Sequence, residues 1–146
     1  MGKQRRASPL ADSVRMRIRA AEQLLSASQV LIPRHGWIAV YLAGLSAECS
    51  LKALVLCQVE KSRRRDLDES DDFRGQLGHN YEELRRVFRR LTRGRDLPVE
   101  WARDLRYIGG VWSVHMRYEP KVFPENEASA VWDAASRLLA AIQRTI

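Results

Sequence analysis

The sequence predicts an all-α fold, an up-and-down bundle of about five helices forming a single domain over residues 8–146, behind a flexible basic tail at residues 1–7. Three observations predict it. Residues 37–56, WIAVYLAGLSAECSLKALVL, are an almost unbroken apolar run carrying one carboxylate, Glu48, and one ammonium, Lys52, a helical turn apart. Apolar residues elsewhere recur at the three-and-four spacing of a helix face, and no segment shows strand alternation or hairpin chemistry. A chain of 146 residues that is 45% hydrophobic has the length of one domain and enough apolar mass for a core.

The first helix can begin near Ser8 with Pro9 in its first turn, where a missing N–H is harmless, and Leu10, Val14, Ile18, Ala21 and Leu25 then share one face. Pro33 ends it. The long inner helix starts near Arg34 to Trp37 and runs to about Val59; a helix apolar all round belongs inside a bundle. The run falls short of the ~20 uninterrupted apolar residues of a membrane span, because the ion pair sits in its second half. Residues 61–78, KSRRRDLDESDDFRGQLG, place a basic block before an acidic one with no apolar period and predict a long polar loop. Asn80 with Glu83 forms an N-cap pair, and Tyr81, Leu84, Val87, Phe88 and Leu91 follow at helical spacing until Gly94 supplies a C-cap. Asp96 and Pro98 announce a fourth helix with Trp101, Leu105, Ile108 and Trp112 inward, loosened by Gly109 and Gly110. Residues 115–124, HMRYEPKVFP, hold two prolines and are expected to be largely irregular. The last helix runs from about Asn126, with Val131, Ala135, Leu138 and Ile142 inward. Trp112 and Trp132 are also the exposed aromatics from which a dimer seam could be built.

The formal charge of +7 and a pI near 10.0 favour partners that carry negative charge: nucleic acid, nucleotide phosphates or an acidic protein surface. Arginine supplies nearly all of it. Lysine stands only at positions 3, 52, 61 and 121, a bias that codon usage in a GC-rich genome produces equally well. Cys49 and Cys57 lie on one helix ~12 Å apart at 1.5 Å per residue, which forbids a bridge between them. Without the Cys/His spacing of a zinc site they read as small buried hydrophobes in a reduced, cytoplasmic compartment. The basic N-terminus has no apolar segment behind it, so neither export nor a lipid anchor is expected. The sequence holds no phosphate loop, H-E-x-x-H, paired carboxylates at metal spacing or Ser/His/Asp arrangement, and no metal or cofactor is expected.

Three short pieces stand in order: Ala47-Glu48-Cys49-Ser50-Leu51-Lys52-Ala53, then Gly78-His79-Asn80-Tyr81-Glu82-Glu83-Leu84, then Arg117-Tyr118-Glu119-Pro120. Together they resemble the HEPN domain family, over about residues 15–142. The resemblance implies a small helical bundle with an A-x-E-x-x-L-K-A signature on the second helix, a Gly/Ser-His-Asp/Asn-Leu step opening the third, and an Arg-Tyr-Pro-like segment before the last. This chain departs at Tyr81, where the family has Leu, and at Glu119, inserted before Pro120. What the resemblance implies for activity divides. Some members are metal-independent ribonucleases, often toxins of toxin–antitoxin or anti-phage systems; others bind nucleotides or partner proteins and cleave nothing. It also implies a homodimer, and a nucleotidyltransferase-like antitoxin as one kind of partner.

The ribonuclease members use an Arg, four to six residues and then a His, because the 2′-hydroxyl must lose a proton while charge develops on the phosphate. That pattern is missing before His115, where the expected arginine positions hold Ile108, Gly109 and Gly110. Arg106 precedes His115 by nine residues, the opposite side of a continuous helix at ~100° per residue. Arg74 and His79 match the spacing at the mouth of the third helix and are the first candidate catalytic pair, although His79 there can equally pack or cap the helix start; His115 and Arg117 are the second pair. Arg117 and Tyr118 suit a phosphate and a base, although Tyr118 can instead simply cover the bundle's end, and Arg85, Arg86, Arg89, Arg90 and Arg93 form an outer ridge that is either solvated or tracks phosphates. Glu48 and Lys52 are expected to be a structural core pair rather than catalytic. The expected function is that of a noncatalytic HEPN-like module binding RNA, a nucleotide or a partner protein, with a homodimeric metal-independent endoribonuclease as the alternative.

Overall fold

The apolar run of residues 37–56 becomes the inner helix of an all-α fold. The computed structural model describes residues 9–146, with helices Pro9–Leu31 (α1), Gly36–Leu56 (α2), Arg64–Asp68 (α3), Asp71–Arg74 (α4), Tyr81–Leu91 (α5), Val99–Gly109 (α6) and Glu125–Thr145 (α7), and no strand among the described residues. The basic tail expected at residues 1–7 lies outside the described residues. The five longer helices match the expected five. The two short ones, α3 and α4, stand where a long polar loop is predicted, because Phe73 is buried and Leu67 half-buried, and one apolar contact each is enough to fix a turn of helix. Likewise, an ordered 3-10 turn, Val114–Tyr118, occupies the part of the stretch expected to be irregular that precedes its two prolines.

Small residues set how closely α1 and α2 approach. Ser46 donates to the Ala21 carbonyl and Ser28 to the Ala39 carbonyl, both at 2.7 Å, so position rises along one helix as it falls along the other: the pair is antiparallel. Buried Ala39, Ala43, Ala47 and Ala53 keep the opposing backbones near. α7 packs on α2 and α1 with Val131, Ala135, Leu138 and Ile142 inward, as predicted, and α6 packs on α7. Among the described residues α2 is the one helix long and apolar enough to cross a membrane, yet 78% of its most apolar window is buried in the bundle.

Trp112 corrects one expectation. It is buried rather than exposed: its ring lies against Gly44 of α2, stacks on Tyr81 with ring centroids 5.1 Å apart, and its indole N–H donates to the Tyr41 carbonyl at 3.0 Å. Trp132 is half-buried and donates to the Leu25 carbonyl at 2.8 Å, so neither tryptophan offers an open seam. A Cβ at position 44 would collide with the Trp112 ring. Gly44→Ala is therefore expected to lower stability by about 1–3 kcal/mol through overpacking, read as a fall in the urea midpoint with unchanged slope.

Candidate functional site

A carboxylate inside an apolar helix must be met by partners, and Glu48, 5% exposed at its side chain, has two. Lys52 of the same helix donates to Oε2 at 3.1 Å, and His79 holds Oε1 through Nδ1 at 2.8 Å, from 31 residues away. Lys52 also donates to the Phe73 carbonyl at 2.8 Å, and its ammonium stands 5.6 Å from the Phe73 ring. Gly78 makes this possible, since a side chain there would strike the Phe73 carbonyl. Asn80 then caps α5 as predicted, its side-chain oxygen accepting from the backbone of Glu82 and Glu83 at 2.9 and 3.2 Å. Glu48 and Lys52 are thus the core pair expected, but the pair also fixes a histidine whose side chain is 36% exposed. With Glu48 accepting from Nδ1–H, the neutral ring keeps its lone pair on Nε2.

His79 lines a cleft of about 470 Å³ together with Tyr81, Leu105, Arg106, Trp112 and Ser113. Tyr81 ties the cleft to the core: its buried phenol donates to the Gly44 carbonyl at 2.7 Å while its ring backs Trp112. Burial, and then the charge of Glu48, hold that phenol well above its ordinary pKa, so it stays a donor. Arg106, in the last turn of α6, lines the cleft, and because the helix stops at Gly109 the chain turns so that Trp112 and Ser113 line it as well. A second hollow of about 200 Å³ shares Gly109, Gly110, Trp112 and Ser113 with the first and continues to Met116, Glu119 and Lys121. The two form one groove along the connection from α6 to α7.

That connection is stapled to α2 in both directions. Trp112 donates to the Tyr41 carbonyl, and Trp37 donates to the Met116 carbonyl at 2.7 Å. On the turn so held, Tyr118 is 72% exposed and the Arg117 guanidinium lies 4.7 Å over its ring. His115 is exposed beside them and is not among the groove's lining residues. Arg74 is not either: its Nε donates to the Asp68 carbonyl at 3.2 Å, so the first candidate pair does not share the cleft, and the arginine that joins His79 there is Arg106. Sequence spacing missed Arg106, Ser113 and Lys121, because their meeting depends on where α6 stops.

The arginine ridge on α5 is largely answered within the molecule. Arg85 reaches Glu82 at 2.9 Å and Asp96 at 3.3 Å, Arg89 reaches Asp96 at 3.0 Å, Arg86 reaches Glu83 at 3.1 Å and Arg90 reaches Asp72 at 3.2 Å. Arg93 takes φ 58° and Gly94 φ 90° where the helix ends, with the Gly94 N–H donating to the Arg89 carbonyl at 2.7 Å. The thiols of buried Cys49 and half-buried Cys57 are free, and burial pushes both up in pKa, as fits packing residues. Among the described residues no group of His, Cys, Asp and Glu could hold a metal ion. No family model, curated protein or solved structure matches the chain.

Glu48→Gln leaves the Lys52 ammonium buried without its counter-charge and is expected to lower stability by about 3–5 kcal/mol in urea unfolding, clearly more than His79→Ala. The Asp96 carboxyl is held down to about 2, first by the Arg89 hydrogen bond and then by the Leu97 backbone N–H. A depressed carboxyl stabilises above its ordinary value of 3.8 and loses that contribution as pH falls through its folded value. The stability gap between the protein and Asp96→Asn is therefore expected to be widest above about pH 5 and to close toward about pH 2, small throughout because the site is solvated.

Proposed function

We propose that the protein is a HEPN-like module that binds single-stranded RNA along the groove that follows the connection from α6 to α7. One observation carries this reading: the exposed Tyr118, with Arg117 over its ring, stands on the turn beside a groove that has Arg106 at one end and Lys121 at the other. A tyrosine face accepts any base by stacking and guanidinium groups track phosphates, so this arrangement suits a strand with little demand on its sequence. The α5 ridge contributes less, because its cations already face carboxylates. A cytoplasmic location fits this reading, and a role in defence or a toxin–antitoxin pair fits the resemblance.

A second reading has its own support. His79 is oriented by Glu48 with Nε2 left to a cleft that also holds Arg106, a base and a guanidinium of the kind metal-independent RNA cleavage uses. On that reading two chains pair to complete the site. One experiment separates them. A fluorescein-labelled 20-nucleotide oligo(U) incubated with the protein in EDTA is expected to stay intact and bind, with affinity at least tenfold weaker in Arg117→Glu/Tyr118→Ala and falling steeply with salt. Cleavage abolished by His79→Ala or Arg106→Ala would establish the second reading instead, and absence of both binding and cleavage would sink the RNA assignment.

A further inference from the structure

We propose a second site, independent of the RNA reading, that takes an acidic amphipathic segment of a partner protein: an aliphatic side chain seated among carboxylates. The site is a hollow of about 590 Å³ between the first half of α1, the turn that enters α3 and the end of α7, and it shares no residue with the groove. Val14, Ile18, Cys57 and Ile146 give it an apolar lining. Arg15 and Arg19, one helical turn apart on α1, and Lys61 and Arg64 give it four cations.

The one acidic side chain among its lining residues, Glu22, already accepts from the Gln143 amide at 2.7 Å. Elsewhere some arginines are paired, Arg17 with Asp68 at 2.7 Å, Arg65 with Glu69 at 3.2 Å, Arg137 with Asp104 at 2.8 Å and four of the α5 ridge with neighbours, while others, Arg106 and Arg117 among them, stand singly rather than gathered around one hollow. Among the described residues none of the four cations in the hollow has such a partner, and Arg64 is positioned by its Nε bond to the Leu56 carbonyl at 3.0 Å. Like charges brought together by three separate elements repel until an anion lies among them.

The lining decides which anion. It contains no aromatic ring on which a base could stack, which disfavours RNA, and it is aliphatic and open, which suits a Leu, Ile or Val projecting from a helix. Carboxylates one turn to either side would then meet the rim. The chain's own N-terminal residues, MGKQRRAS, add Lys3, Arg5 and Arg6 and no carboxylate, so their charge opposes filling the hollow.

The test uses the full chain and a fluorescein-labelled 18-residue helical peptide with Leu on one face and Glu on the other, followed by anisotropy. Binding is expected, at least tenfold weaker when the Leu residues become Ser, and absent when the Glu residues become Lys. Arg15→Glu/Arg19→Glu, confirmed folded by its melting curve, is expected to weaken it at least tenfold, and Arg117→Glu to leave it unchanged. Equal binding of the Leu and Ser peptides, wild-type affinity in the double variant, or displacement of the peptide by oligo(U) would each overturn the proposal. So would self-association of the chain, by light scattering, that the double variant abolishes, since the occupant would then be a second copy.

Discussion

The buried negative charge of Glu48 organises this molecule. Glu48 sits in the most apolar helix of the chain, where an unmatched carboxylate is untenable, and the structure brings it one partner from its own helix and one from the distant segment that opens α5. Satisfying it dictates the path of everything between. The chain leaving α2 at Leu56 must return past α3 and α4 so that the Phe73 carbonyl meets Lys52 and His79 meets the carboxylate. The short helices are the shape of that return.

The same return places Tyr81, two residues after His79, against the middle of α2. Only a residue without a side chain at position 44 admits the stacked Tyr81 and Trp112 rings, so the groove's inner wall is continuous with the bundle's core. The network around Glu48 and the aromatic stack around Gly44 meet in one cleft. His79 belongs to both network and cleft: one ring nitrogen is held by Glu48, while the side chain as a whole is 36% exposed and lines the cleft.

The helices were legible in the sequence because their signals are local. Apolar spacing, Asn80 as a cap, Gly94 as a terminator and Pro33 as a break each act within a turn or two of where they stand. The candidate site was less legible because its geometry is set at long range. Arg74 and His79 satisfy a spacing rule but do not line one cleft, whereas Arg106 and His79 satisfy none and do, an outcome set by how α6 packs beside the start of α5. The arginines of α5 were plain to see; that Asp72 and Asp96 would answer them was not, since both lie outside the helix. One signal for the true network was present. A lone carboxylate in an apolar run with a single lysine has hydrogen-bonding capacity to spare, and a chain with three histidines offers few groups to use it.

The reciprocal tryptophan bonds between α2 and the turn before α7 bear on speed rather than shape. Each indole donates to the other's segment, so the turn cannot lift without breaking both bonds and unstacking Trp112 from Tyr81. Its opening is thereby tied to the stability of the core rather than to that of a surface loop. On the reading proposed above, a ligand would meet a groove already formed, and its association rate would be governed by diffusion and the attraction of the surrounding cations, with no wait for a gate.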